Sequence, residues 1–387
     1  MNISTLNLLN IENIFKRSFI NKKRNGTFKL ILLISIFSIY FQLFKKMNKI
    51  KGKIYPLTKL SEIEKKLSLA IEFIKTYSIL FYASKKGLTK RPINSLNERK
   101  PFHITQKKGI GICSIGRKEN LYAKEFVDYY LMLGIKKIII YDDNEINQEK
   151  FEDVLKEYII NGKVEIIDIH GFESAQFPSY NDCYKRYGNQ FDFLLFLDFD
   201  EFVKIEKNID INTYLYNNKF EKCETIVLNW VIYGDNNLTR YDNRTLLERF
   251  TKPGVKLKMG KCIVRTKISR LIIVSTLMIG INTKYFCDSN GNRIFPKSFS
   301  HFIPPKEPEA YIKHFYTKTA EEFCNKINKG DGHYHKSHPE RINVFKKRIN
   351  SFFIYNSITE EKIKIIENCS GMNLSKFKNR FSNKKKI

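Results

Sequence analysis

Short apolar runs alternate with amphipathic stretches between residues 109 and 197, and this alternation sets the expected fold. Residues 109–113 read as a strand, 120–133 as an amphipathic helix ending near Gly134, and 137–141 as a second strand. A second helix is expected over 148–160, closed by Asn161-Gly162, since glycine just past the last turn is a common helix stop. Residues 164–169 form the third expected strand, 180–187 a further helix, and 193–197 the fourth strand. Strands separated by helices of this length imply right-handed crossovers and a parallel sheet, an α/β class. Beyond it, 225–233 and 262–266 are strand-like without long helices between them. From Glu307 onward the chain reads as mostly helical and basic.

Ahead of this region, residues 30–44 are almost continuously apolar. A bilayer span needs about 17–25 residues, but Lys29 can snorkel, so 27–44 is expected to be a single membrane anchor rather than a buried or interfacial helix. Lysine and arginine flank the run on both sides, so the orientation is open. The expected organisation is a basic segment at 1–26, the anchor at 27–44, a stem or linker at 45–105, the α/β domain at 106–331, and a basic helical extension at 332–387. Within the stem, 67–83 has helical periodicity, and 85–100 is polar and interrupted by Pro92.

The chain has 387 residues, enough for one large core or two smaller ones, and a formal net charge of +28. Such a charge favours acidic partners: phospholipid, nucleotide, phosphorylated glycan or nucleic acid. Biased codon usage explains it equally well. The basic residues are spread along the chain and not interleaved with aromatics as in an RNA-binding module, which argues against nucleic acid. The seven cysteines include no CxxC pair, so a zinc module and a disulfide scaffold are both unexpected, and most should be buried apolar residues. One or two bridges in a lumenal compartment remain compatible.

Chemistry concentrates at the ends of the expected strands. The first strand runs into Ser114-Ile115-Gly116-Arg117-Lys118-Glu119, a small and basic junction suited to a phosphate or nucleotide. The second ends in Asp142-Asp143, where nucleotide-binding units often place a carboxylate against ribose or base. The fourth ends in Asp198-Phe199-Asp200-Glu201. Strand alternation would put Asp198 and Asp200 on one side, and two close carboxylates need a cation, a proton or a basic partner. A divalent metal holding a diphosphate meets that need. An aspartyl-phosphate hydrolase would carry its Asp-x-Asp on the first strand, and Phe202 stands where such an enzyme wants Thr or Val.

These segments, in this order, resemble glycosyltransferase family 92 and the related family 2. The resemblance runs from Gly-Ile-Cys-Ser-Ile-Gly-Arg-Lys-Glu-Asn at 111–120 through Ile140-Tyr141-Asp142-Asp143-Asn144 and Leu197-Asp198-Phe199-Asp200-Glu201-Phe202. It continues in Asn229-Trp230-Val231-Ile232-Tyr233-Gly234-Asp235, Leu247-Glu248-Arg249-Phe250 and Ile312-Lys313-His314-Phe315-Tyr316-x-Lys318-Thr319. Departures are Lys118-Glu119-Asn120, where the family often has Lys-Asn-Glu, and Phe315, where it often has Tyr. The resemblance implies a GT-A fold, Rossmann-like with a mostly parallel sheet, and inverting transfer from a nucleotide sugar to a hydroxyl of a glycan or lipid-linked glycan. By the same resemblance Asp198 and Asp200 would hold Mn²⁺ or Mg²⁺, with His314, on an expected helix, or His301 completing the shell. Arg117, Glu119, Asp142, Asp143 and Lys318 would hold the donor, and Asp235 or Glu248 would be the base. The expected setting is a membrane with a single pass, either bacterial inner membrane or Golgi type II. The alternatives are a basic protein that binds nucleic acid or an anionic surface, and a non-catalytic protein of the same fold.

Overall fold

The computed structural model describes residues 69, 70, 73, 76, 99–172, 175–268, 271–273, 283–296, 301–329 and 341–374. The expected anchor, the basic N-terminal segment and the lysine-rich tail lie outside these residues. No helix among the described residues is long and apolar enough to cross a membrane. The chain divides into two units, 1–82 and 83–387. In the first, Leu69, Phe73 and Thr76 are helical and buried, at the spacing of one helix face.

The second unit is built on one sheet. Its strands are β1 (Ile110–Gly116), β2 (Lys137–Asp142), β3 (Val164–Asp168), β4 (Phe193–Phe196), β5 (Glu201–Ile205), β6 (Thr225–Tyr233), β7 (Pro253–Arg265), β8 (Phe286–Cys287), β9 (Arg293–Ile294) and β10 (Ala310–His314). They run in the order β3-β2-β1-β4-β7-β6-β10-β5, with β8 beside β6 and β9 beside β8. From β3 to β4 every pairing is parallel, as the alternation required. Helices α1 (Asn120–Met132), α2 (Phe151–Ile160) and α3 (Gln176–Tyr187) fill the crossovers. Beyond β4 the sheet is mixed. β7 is antiparallel to both β4 and β6, and β10 is parallel to β6 but antiparallel to β5. The expectation of a mostly parallel sheet therefore holds only for its first half.

Residues 310–314, expected to be helical, form β10 instead. Ala310, Ile312 and His314 are buried while Tyr311 and Lys313 are half-buried, the period of two that a strand requires. Two short helices, α4 (Ile211–Leu215) and α5 (Leu246–Arg249), and the longer α6 (Ala320–Lys329), α7 (Arg341–Tyr355) and α8 (Glu360–Ser370) complete the unit. The last three share a second core of Phe323, Ile327, Phe352, Phe353, Ile363 and Ile366. Helices α7 and α8 therefore pack onto α6.

Disulfides join Cys223 to Cys287 and Cys324 to Cys369. Cys113, Cys183 and Cys262 lie outside these bridges and are buried, so the expectation that most cysteines are simple core residues is corrected.

Candidate functional site

β1, β2 and β4 are parallel neighbours, so the loops that follow them open at one edge of the sheet. The register sets Gly116 beside Asp142. A side chain at Gly116 would place its Cβ 2.6 Å from both Phe151 and Phe199, so only glycine lets the chain turn here. Arg117 then reaches Asp143, with Nη2 2.9 Å from Oδ2 and Nε donating to the backbone carbonyl at 2.9 Å. Lys118 adopts φ +53°, a left-handed conformation, and its N–H donates to Asn144 Oδ1. Burial pushes Asp143 up to about 6 against the opposing Arg117 charge, and burial likewise raises Asp142. Among the described residues, Asp143 Oδ1, Asn144 Nδ2, Ser114 Oγ and Glu119 Oε2 are buried without a hydrogen-bond partner. Buried polar atoms are normally paired, so this cluster is built to receive polar groups. Glu119 also pairs with Lys329 of α6.

Asp198 and Asp200 lie in the turn after β4, not on a continuing strand. Phe199 is buried, stacked on Phe151 with centroids 5.0 Å apart and packed against Phe126 at 4.9 Å, which anchors the turn. The two carboxylates meet different cations. Asp198 is partly exposed and accepts from Lys261 Nζ of β7 at 3.1 Å. Asp200 is buried and its Oδ2 accepts from Lys318 Nζ at 3.2 Å and Lys326 Nζ at 2.6 Å. Burial alone would raise Asp200, but Lys318, Lys326 and His314 outweigh it and hold the group well below the carboxylate range. Lys261 is buried too, yet Asp198 and Glu201 keep it well above the usual lysine value. Glu201 is pushed up to about 8 by burial, Lys261 opposing.

His314 arrives through strand pairing. Antiparallel β10 sets it opposite Glu201, and Phe315 N–H donates to the Asp200 carbonyl at 2.9 Å. Its Nε2 lies 3.7 Å from Asp200 Oδ1. Burial lowers its pKa to about 3; Asp200 opposes this and the three lysines add to it, so the ring is neutral. Trp230 packs on it with centroids 4.6 Å apart, and among the described residues Trp230 Nε1 and His314 Nδ1 are both buried without hydrogen-bond partners. A surface cleft of about 400 Å³ lined by Tyr129, Met132 and Asp210 holds none of these groups, and the chemistry lies at the strand ends instead.

The four expected metal ligands, Asp198, Asp200, His314 and His301, are placed as follows. Mn²⁺ and Mg²⁺ need several oxygen donors with lone pairs to spare. Asp200 and His314 do converge, but Asp200 is already shared by two ammonium groups and Asp198 is bound to a third. His301 is exposed ahead of β10. Among the described residues no three His, Cys, Asp or Glu side chains gather where a metal could sit. A dication at Asp200 would stand beside two like charges, so this donor set does not fit one.

Asp235 is buried and its Oδ2 accepts from Lys362 Nζ of α8 at 2.6 Å, while Oδ1 accepts from Asn237 N–H at 2.9 Å. In this arrangement both of its carboxylate oxygens are engaged, one by an ammonium group and one by a backbone N–H. Glu248 is exposed and closes the capping box of α5, accepting from Thr245 N–H at 2.8 Å. Its neighbour Arg249 turns inward to a two-pronged pair with Glu322 at 2.7 and 2.8 Å. Sequence reasoning missed Lys261 and Lys329, two lysines in a lysine-rich chain that no local pattern distinguishes; Lys326 follows the family-like segment at 312–323 but was given no role.

The solved structures that match this chain are distant. S. aureus TarS 1-349 is 12% identical over 67% of this chain and 78% of that one, with a TM-score of 0.29. The same protein in complex with UDP matches at 11% identity over 41% of this chain, TM-score 0.26. The mannosyltransferase PcManGT from Pyrobaculum calidifontis, in complex with GDP-Man and Mn2+, is 7% identical over 46% of this chain, TM-score 0.25. The chain spans 47% of the length of each of the last two. A search of curated proteins finds no significant match. Residues 108–372, well over half the chain, match the model for glycosyltransferase family 92, so the chain belongs to that family.

Proposed function

We propose that this domain has a GT-A fold and transfers a sugar from a nucleoside-diphosphate donor to a hydroxyl of a glycan or lipid-linked glycan, with inversion at the anomeric carbon. One observation carries the reading. Arg117, Asp142, Asp143, Asp198 and Asp200 come to a single edge of the sheet, beside unpartnered buried polar atoms and three lysines. Ligands bind at that edge in open α/β sheets. The carboxylates of Asp142 and Asp143 suit ribose or base groups of the nucleotide, and the lysines suit its diphosphate. The Trp230 indole face beside His314 suits a sugar ring.

The two disulfides support an oxidising setting, lumenal or extracytoplasmic, since such bonds are rare in the cytosol. A membrane anchor at 27–44 accords with that setting and rests on the apolar run alone. Nucleic acid is not an expected partner. The test is a panel of UDP-, GDP- and CMP-sugars with the purified chain, reading free nucleotide and the anomeric configuration of the product. Release of nucleotide from one donor supports transfer. Binding of a donor with no release identifies a non-catalytic member of the fold.

A further inference from the structure

We propose that Lys318 and Lys326, supported by Lys261, supply the positive charge that a divalent cation would otherwise bring to the departing nucleoside diphosphate, so that transfer proceeds without a metal ion. The inference rests on the nucleotide-sugar reading above and deepens it.

Three ammonium groups face Asp198, Asp200 and Glu201 at this edge: Lys261 is shared by Asp198 and Glu201, while Asp200 alone meets two, Lys318 and Lys326. Lys326 is the most accessible of the three, its side chain 19% exposed, and spends two of its donors on Asp200 and the Tyr316 carbonyl, 3.0 Å away. Its Nζ also lies 4.5 Å over the Tyr316 ring, and among the described residues no third oxygen accepts from it, so a phosphate oxygen could take that N–H. Lys318 is almost fully buried, lies over the Tyr122 ring at 4.5 Å, and adopts φ +54°. A long side chain rarely takes that backbone conformation, and such strain persists where the surroundings hold a group in one place. Thr319 follows directly, its hydroxyl bonded to Glu322 at 2.7 Å, and Glu322 is itself clamped by Arg249, so the Lys318 backbone is braced on its C-terminal side. Asp200 sets the positions of the ammonium groups, as a carboxylate does for any buried cation.

In the transfer, the bond between the sugar C1 and the diphosphate oxygen breaks and its electron pair stays on that oxygen. The acceptor oxygen forms the new bond to C1, and its proton leaves to solvent. Fixed ammonium groups stabilise the charge that grows on the leaving oxygen, at no cost in reorganisation.

The experiment measures UDP, GDP and dTDP binding by calorimetry and donor turnover, each in EDTA and in Mn²⁺, for the wild type, Lys326→Met and Lys326→Arg. Thermal melts check that both variants fold. Wild-type affinity and turnover in EDTA should lie within about twofold of the values in Mn²⁺. Lys326→Met should weaken binding of the preferred diphosphate by about tenfold or more, the worth of one charge-assisted contact, and Lys326→Arg should restore most of it. Binding or turnover that appears only with Mn²⁺ overturns the lysine proposal and leaves the donor reading standing, as does a folded Lys326→Met that binds like the wild type. If no diphosphate binds and no nucleotide sugar is consumed in either buffer, the donor reading itself falls.

Discussion

Replacing Lys362 by Met separates a structural Asp235 from a catalytic one. Lys362 is fully buried, and its Nζ lies 2.6 Å from Asp235 Oδ2 and 2.6 Å from Ser357 Oγ. The substitution leaves a carboxylate buried without its cation, which costs about 3–5 kcal/mol and lowers the melting temperature on the order of 10 °C. Asp235→Asn alone strands the ammonium and should cost a similar amount. Combining the two removes both charges, and the new asparagine keeps an oxygen for the Asn237 N–H that Asp235 holds at 2.9 Å. The double variant should therefore recover to within about 1–2 kcal/mol of the wild type, because a buried pair exchanged for neutral groups of similar size is nearly neutral. Urea unfolding of all four proteins gives the coupling energy. Turnover of the preferred donor decides the role. Loss of a general base costs about 10²–10⁴-fold, whereas a structural pair restored by its second substitution should leave turnover within about tenfold. A double variant that folds like the wild type but has lost more than about a hundredfold in turnover refutes the structural assignment.

Three further outcomes follow from buried groups elsewhere. Asp143 is pushed up to about 6, while in the unfolded chain it titrates near about 3.9, so the folded state holds a proton that the unfolded state releases between those values. Its contribution to stability is greatest below about pH 4 and falls by on the order of 3 kcal/mol as pH rises through 6; Asp143→Asn should remove that slope in urea titrations across the window. Cys369→Ser opens a bridge spanning 45 residues and should cost about 4 kcal/mol on the chain-entropy account, read as a lower melting temperature that reductant no longer changes at this bridge. Denatured, unreduced wild type should titrate only the thiols of Cys113, Cys183 and Cys262. Gly260→Ala would place a Cβ 1.9 Å from the Leu228 carbonyl oxygen, forcing β6 and β7 apart beside Lys261, and should cost at least about 1–3 kcal/mol in thermal unfolding.

The alternation of apolar strands and amphipathic helices between β1 and β4 was readable because a parallel α/β half is specified by local periods of 2 and 3.6 residues. The same logic put Asp142, Asp143, Asp198 and Asp200 at strand ends, where the structure has them. Strand β10 escaped notice because five alternating residues sit among charged neighbours whose composition reads as helical. What each carboxylate does was decided only by tertiary structure. Lys326 lies 126 residues from Asp200, and Lys362 lies 127 residues from Asp235. No periodicity reports a contact at that separation. In a chain of net charge +28 many lysines could serve each acid, and burial selects the ones that do. The pairing of Cys324 with Cys369 likewise depends on α6 and α8 sharing one core. The order of residues therefore determined where acids would gather, and folding determined which were neutralised, because a carboxylate in a dry interior must take whichever cation the packing brings to it.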